Sequence, residues 1–535
     1  MKKRTIQAIL ILTISLLVVG LVGCGNKTDS KNTAAVNSTS DAAEKSGGTI
    51  RVAFAADPES IDWMYTGASP TRDVGWHIFE TLFALDQDYQ SRPMIAEDYE
   101  ISDDQTVYTI SIRENVPFHD GSTVTAEDVI ASIDRWQVVS GVGENASQYI
   151  EEVKEIDEYT IEVTLNQVYN SLLADFSAPK QALMIIPKEI AEEAGENPLE
   201  PTQLIGTGPY KFDKWDKGNE ILLTKFADYA ARDEDWGGAA GEKIAYFDEI
   251  KFQIVKDPQV MINGLKTDLY DYAQSISPDL FEVIESSPNM EPITYINGYT
   301  IITPNKAKEP FEDLQVRQAL NYALDKEKIA KSVYGNEEFY AFDGALFDPE
   351  QKDLYSSQGT DDYLVYDKEK AKSLLDSSNY NGEAITIMYS NNFERYEKTA
   401  EIAKQQLEEI GFKVELVSYE WATYLEKWGD PDNWDLVVIG WSTRFSPNEL
   451  GMLGIGSSSS GFYESKRWEK LLDEWSNVDT EEEKQDVLAE MNQTVWDELP
   501  FVKMVNETTL DIKSDKVKEY ESWVGPRFWN TYKSE

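Results

Sequence analysis

Apolar positions along the body of the chain keep two periods, and each predicts a different element. In the first half, Tyr108, Ile110 and Ile112 alternate with Thr109 and Ser111, and Tyr159, Ile161, Val163 and Leu165 alternate with Thr160, Glu162 and Thr164. A period of two is the pattern of half-buried antiparallel strands. Between them, Thr125-Ala126-Glu127-Asp128 precedes Val129, Ile130 and Ile133, a capping-box start to an amphipathic helix. This half reads as a mixed sheet with helices packed on it.

The second half is more regular. Ala384 to Tyr389 predicts a strand, Arg395 to Ile410 a helix closed by Gly411, Lys413 to Tyr419 a strand, Tyr424 to Trp428 a short helix, and Trp434 to Trp441 an almost unbroken apolar strand. Strands alternating with helices imply right-handed crossovers and a parallel sheet covered on both faces. The run Leu436-Val437-Val438-Ile439 has the continuous apolarity of a central strand. Ligands bind such sheets outside the carboxyl ends of the strands, which points to the loops Ser390 to Tyr396 and Ser442 to Leu450. The first carries Asn391, Asn392, Phe393 and Arg395; the second carries Thr443, Arg444, Phe445 and Asn448, with Trp441 at its base. Aromatic walls with a few hydrogen-bonding heads suit a small-molecule cleft. Solvated loops with incidental aromatics are the alternative.

At the amino terminus the pattern changes. Lys2-Lys3-Arg4 precedes an apolar run from Ile9 to Val22, broken by Thr13, Ser15 and Gly20 and followed by Gly23-Cys24. The run is shorter than the roughly 20 residues that span a bilayer comfortably and ends on small residues, as a cleaved export signal does; a permanent anchor is the alternative. Leu21-Val22-Gly23-Cys24 resembles the bacterial lipobox, which implies removal of residues 1–23 and lipidation of Cys24. Residues 24–47 hold almost nothing apolar and are expected to form a flexible tether.

Composition narrows the function. The chain has 535 residues, 41% of them hydrophobic, with 20 prolines, so it can bury large cores and is expected to form two or more domains. One cysteine excludes a disulfide-stapled fold. A formal charge of -48, from 49 Lys+Arg against 97 Asp+Glu, with no basic stripe, excludes nucleic acid and anionic lipid as partners. Direct metal ligation by the protein is not expected from two histidines and one cysteine, and no cofactor is implied. Neither a Gly-x-Ser-x-Gly elbow nor a His-Glu-x-x-His pair occurs.

Several stretches, taken in order, resemble the extracellular solute-binding proteins of dipeptide, oligopeptide and nickel ABC importers, called family five. They are Phe79-Glu80-Thr81-Leu82, Arg92-Pro93-Met94-Ile95-Ala96-Glu97, Arg113-Glu114-Asn115-Val116-Pro117-Phe118-His119-Asp120-Gly121, Thr125 to Val129, Gly206-Thr207-Gly208-Pro209-Tyr210, Phe311-Glu312-Asp313, Val316-Arg317-Gln318-Ala319-Leu320 and Ala371 to Leu375. The resemblance implies an α/β, two-lobe, periplasmic-binding-protein-like clamshell with a parallel sheet in the second lobe. Lobe I would use 48–80, 190–297 and 500–535, with 81–189 as an inserted subdomain, and lobe II 298–499. The crossings would fall at Ile296-Asn297-Gly298-Tyr299 and Leu499-Pro500-Phe501, where Asn-Gly suits a hinge because both residues tolerate positive φ. His119-Asp120-Gly121 is read as a surface turn, Gly208-Pro209-Tyr210 as a turn into a strand, Arg317 as a helix fastener and His77 as a satisfied buried histidine.

In peptide-binding members an acid in the loop after the strand ending Gly-Trp holds the ligand's α-ammonium. Here the strand ends Gly440-Trp441 and Arg444 occupies that position, and a guanidinium pairs with carboxylate rather than ammonium. Pairing of Arg444 with a neighbouring acid as loop scaffold is the alternative. The favoured function is capture of di- or oligopeptides for an ABC permease. An extended ligand would pair with strand edges near Tyr299 to Thr303, in pockets lined by Tyr65, Phe393, Trp421 and Trp441 with Asn391 and Asn448 nearby. Capture of an anionic or metal-chelating small molecule, with Arg395 and Arg444 on carboxylates, is the second reading. A secreted hydrolase using a pair such as Asp430 and Asp432 is the third, although a solvated turn explains that pair. A monomer anchored by lipid to the outer face of the cytoplasmic membrane is expected, not an enzyme.

Overall fold

The computed structural model describes Lys45, residues 47–478 and residues 480–534. The segment read as an export signal, Cys24 and most of the stretch read as a tether lie outside the described residues. Among those described, one eleven-stranded sheet runs through the body. Its order is Lys413–Tyr419, Ala384–Ser390, Leu436–Trp441, Met290–Pro304, Val502–Ser514, Tyr272–Ala273, Thr49–Phe54, Glu249–Ile254, Glu220–Lys225 and Tyr210–Asp216, with Tyr340–Ala341 beside Val502–Ser514 off this path.

Ala384–Ser390 pairs in parallel with both Lys413–Tyr419 and Leu436–Trp441, as the strand and helix alternation predicts. The next strand, Met290–Pro304, enters from the other half of the chain and is antiparallel; the sheet is therefore parallel over three strands and mixed beyond them. Leu436 and Val438 are buried with Ile302, Ile387, Leu407 and Val502, whereas Val437 and Ile439 are buried on the opposite face with Tyr299, Ile301, Met388 and Trp434. A strand with one row of side chains in each of two cores needs apolar residues at every position, which removes the alternation from its sequence. Each such side chain contributes roughly 1.5–3 kcal/mol.

The helix Glu394–Ile410 buries Tyr396, Thr399, Ala400, Ala403, Leu407 and Ile410, one face at helical spacing, and ends at Gly411 with φ 116°. In the first half, Ala96–Ile101, Val107–Ile112, Thr160–Leu165 and Ile150–Asp157 form a separate four-stranded sheet that is antiparallel throughout. The mixed pairing expected of that half lies elsewhere, where Thr49–Phe54 has parallel neighbours and Glu249–Ile254 an antiparallel one. Helix Ala126–Val139 begins as predicted: Asp128 Oδ2 accepts from the Thr125 N–H at 2.9 Å and from its hydroxyl at 2.8 Å.

Two long strands connect the hydrophobic clusters. Met290–Pro304 and Val502–Ser514 pair along most of their length. Met290, Leu510 and Ile512 lie in one core, while Tyr299, Ile301, Ile302, Val502 and Met504 lie in those flanking the parallel strands. The register slips between Ile296 and Tyr299. Gly298 there has φ 100°, and a Cβ on it would stand 1.7 Å from the Trp441 carbonyl oxygen. Nothing larger fits between the two backbone segments. Next to Leu499, Arg317 fastens the end of helix Glu481–Glu498. Its Nε and Nη2 donate to the Glu498 carbonyl at 3.1 and 2.8 Å, and its Nη1 donates to the carbonyls of Phe311 and Glu312, both at 2.8 Å.

His77 is fully buried; Nδ1 bonds the Asp73 carbonyl and Nε2 accepts from the Phe528 N–H, both at 3.0 Å. Burial pushes its pKa down to about 3. His119 departs from the surface-turn reading. Its Nε2 lies 2.9 Å from the Gly208 carbonyl and its Nδ1 accepts from the Gly206 N–H at 3.3 Å, so the ring turns inward and secures that glycine-rich segment while Asp120 stays exposed. The strand after Pro209 starts at Tyr210, as expected.

Candidate functional site

The loop after Leu436–Trp441 does not project freely. Phe445 leaves it to stack on Tyr89 at 5.7 Å, and it is buried in the core of the first half. Asn448 Nδ2 donates to the Tyr169 hydroxyl at 3.3 Å and to Ser171 Oγ at 3.2 Å. Farther along the same face, the Asn170 N–H donates to the Ser476 carbonyl at 3.1 Å, and Lys352 faces Asp88 at 3.4 Å. The Asn448 bonds bring residues 141–181 against residues 441–459, and the other contacts flank them.

Between the two walls lies a cavity of about 280 Å³. Trp441, Arg444, Asn448 and Glu449 line one side, and Tyr169, Asp175, Lys180 and Gln181 line the other. The strand end positions Trp441. Its ring lies edge-on to Trp428 at 6.3 Å, and Gly451 leaves room for it, since a Cβ there would touch the indole at 3.3 Å. The Arg444 guanidinium sits over Trp441, 5.2 Å from the ring centre, a geometry in which the indole face attracts the cation. Arg444 is 6% exposed, and its Nε is buried without a hydrogen-bond partner, as is the indole Nε1 of Trp441.

The charges around the cavity are shifted by burial. Burial first, and Arg444 second, push Lys180 down to about 8; Glu449 opposes them. Burial holds the Glu449 carboxyl above its ordinary range, against the pull of Arg444 and Lys180. Asp175, which accepts a hydrogen bond from the Tyr169 hydroxyl, is pushed up to about 8, again chiefly by burial. Near neutral pH Asp175 therefore keeps its proton, and Arg444 and Lys180 put positive charge on both walls of the cavity within a strongly acidic protein.

Of the residues named from the sequence, Trp441, Arg444 and Asn448 line this cavity. Asn391, Phe393, Arg395 and Trp421 form a separate group. Phe393 meets Trp421 edge-on at 5.3 Å, and Arg395 lies over Phe393 and pairs with Glu507 at 3.2 Å. The Asn391 N–H donates to the Tyr419 carbonyl at 3.0 Å. Tyr65 is 42% exposed, and its carbonyl accepts from Gln181 at 3.4 Å. Tyr299 is buried beneath the site with Lys503 over its ring at 4.5 Å. The segment Tyr299 to Thr303 offers no free edge to an extended ligand, because it is paired with Leu436–Trp441 on one side and with Val502–Ser514 on the other. Asp430 and Asp432 are exposed in a turn that Asp430 itself caps. Among the described residues, no group of three or more His, Cys, Asp or Glu side chains could hold a metal ion, and no helix is long and apolar enough to cross a membrane.

Sequence reasoning missed Tyr169, Asp175, Lys180 and Gln181. They carry no local motif and reach Arg444 only through the fold; Glu449 stood in a loop already singled out.

Comparison with known proteins agrees with this architecture. The chain is 26% identical to the probable peptide ABC transporter periplasmic-binding protein y4tO of Sinorhizobium fredii over 93% of this chain and 95% of that one. It is 24% identical to the glutathione-binding protein GsiB of Escherichia coli over 89% and 92%. Its fold matches that of DppA from Helicobacter pylori, solved with the peptide STSA, with a TM-score of 0.77 at 24% identity over 93% of this chain and 100% of the other. The profile of the bacterial extracellular solute-binding proteins, family 5 Middle, matches residues 90–463, and the chain with this cavity belongs to that family.

Proposed function

We propose that this protein captures short peptides between two lobes and delivers them unchanged to an ABC permease. Lobe I comprises 48–80, 190–297 and 500–535, lobe II comprises 298–499, and 81–189 is a subdomain inserted in lobe I. The two paired strands through Ile296–Tyr299 and the chain through Leu499–Phe501 are the crossings on which the lobes close. The observation that carries this reading is the cavity itself. Its walls come from chain segments some 270 residues apart, and polar heads and an indole converge on it. At about 280 Å³ it lies near the low end of the roughly 300–1,000 Å³ typical of small-molecule sites, which favours short ligands over long ones. The arrangement is the closed one, with Asn448 and Phe445 acting as latches. The relatives support the reading: y4tO is named a probable peptide transporter protein, GsiB a glutathione-binding protein, and DppA is solved with a peptide.

Export by the amino-terminal segment and lipidation of Cys24 would tether a monomeric body outside the membrane. The acidic surface suits that compartment, and the cavity offers binding heads without a nucleophile and base in register, so no turnover is expected.

The test is incubation of the purified protein with a defined mixture of peptides, followed by mass spectrometry of what it retains. Retention of di- or tripeptides of unaltered mass supports the proposal. Retention of metal chelates alone would reassign the solute, and recovery of cleaved peptides would make the protein an enzyme.

A further inference from the structure

Cations in this chain are surrounded by twice their number of carboxylates, and its arginines show it. Arg51 pairs with Asp271, Arg72 with Asp73, Arg135 with Asp62, Arg232 with Glu234, Arg395 with Glu507 and Arg467 with Glu490. Arg317, which has no carboxylate within 4 Å among the described residues, spends its hydrogen bonds on backbone carbonyls. Arg444 does neither. It is buried, stacked on Trp441, and makes no ion pair within 4 Å among the described residues, and its Nε has no partner. Lys180, on the facing wall, is likewise without an ion pair within 4 Å among the described residues. Its stem is fixed across Gly67, where a Cβ would come within 2.4 Å of its Cε.

A buried guanidinium and an ammonium left unpaired cost free energy unless something else faces them. The carboxyls of the cavity do not serve. Asp175 is occupied by the Tyr169 hydroxyl, and Glu449, which attracts both cations at longer range, accepts the Phe445 N–H at 3.4 Å and forms no ion pair within 4 Å with either among the described residues. A guanidinium whose face is covered by an indole still offers its N–H edge, which matches the two oxygens of a carboxylate.

Resting on the peptide-capture reading, we infer that the solute is recognised through a carboxylate held between Arg444 and Lys180, with the indole N–H of Trp441 as an additional donor, and that a free α-amino group is dispensable. N-blocked peptides and other N-acylated acids are then ligands, whereas peptides lacking a free carboxylate are not.

Three libraries of di- and tripeptides with the same side chains test this: one free, one N-acetylated and one C-amidated. Each is equilibrated with the full chain, and retention is read by mass spectrometry with dissociation constants measured for the best members. The expected result is that N-acetylation changes affinity less than about threefold, whereas amidation weakens it at least about thirtyfold. Loss on acetylation with retention on amidation overturns the inference.

If none of the three libraries is retained, the peptide reading fails. The inference is then decided by N-acyl amino acids and dicarboxylic acids against their methyl esters: retention of acids and not esters upholds it, and retention of neither or of both overturns it. Arg444→Gln and Lys180→Gln are each expected to weaken the best acid at least about tenfold while leaving the melting temperature of the unliganded protein unchanged or raised, because the first removes an unpaired buried charge and the second an unpaired half-buried one. A variant with unchanged affinity at both positions contradicts the assignment.

Discussion

Replacing Gly298 with alanine tests whether the proposed crossing at Ile296–Tyr299 and the cavity are mechanically one. The glycine has φ 100°, and a Cβ on it would stand 1.7 Å from the Trp441 carbonyl oxygen and 2.7 Å from the Ser442 Cα. A residue with a Cβ in that conformation costs about 1–3 kcal/mol. Relieving the backbone contact adds about 1–3 kcal/mol, the range seen when a well-packed site is overfilled. With an unfolding entropy of about 2.1 cal/mol/K per residue, a body of roughly 490 residues responds by roughly 1 °C per kcal/mol, so the melting temperature should fall by about 2–6 °C. Gly335→Ala is the control: φ there is 74° with nothing within 4 Å of the added atom, so only the conformational part applies. Scanning calorimetry and a solute titration on both variants separate the contributions. Gly298→Ala should melt lower than Gly335→Ala and also bind solute more weakly, because the atom it displaces belongs to Trp441 at the base of the cavity. Equal melting temperatures, or full affinity in Gly298→Ala, would refute the reasoning.

Three further outcomes follow from the same geometry. Asn448→Ala removes the bonds to Tyr169 and Ser171 across the cavity; at about 1 kcal/mol for each bond, affinity should fall roughly thirtyfold, with a larger radius of gyration in small-angle scattering at subsaturating solute. Affinity for a carboxylate ligand should hold steady below pH 7 and fall as pH rises through about 8, because Lys180 then loses its proton and Asp175 becomes negative; calorimetric titration from pH 6 to 9 reads this, and a rise with pH contradicts it. His77, neutral in the folded state down to about pH 3, should give the nitrogen-15 shifts of a neutral ring at pH 5, where an exposed histidine is charged.

The strands and helices of the second half were legible because their signals are local. Continuous apolarity marks Leu436 to Ile439, and Gly411 marks a helix end. Where a distant group decides, the sequence was mute. The short helix starts at Trp421, three residues before its apolar run suggests, because its first N–H is taken by Asn392 Oδ1 at 2.7 Å from a loop one strand away. Arg395 and Arg444 look alike in the chain, each a few residues past the end of a strand, although Arg395 lies in the first turn of helix Glu394–Ile410. Glu507, on the last long strand, pairs with the first, whereas among the described residues no carboxylate pairs with the second within 4 Å. The far wall of the cavity was invisible for the same reason: Asp175 and Lys180 acquire their chemistry from burial against a loop that the chain reaches only some 270 residues later.

The most direct measurement is a crystal structure of the protein with the solute it retains. The account places that solute in the cavity between residues 141–181 and 441–459, with a carboxylate on Arg444 and Lys180 and its body against Trp441. Density for the solute elsewhere, or an Arg444 guanidinium turned onto Glu449 with the cavity holding only water, would contradict it.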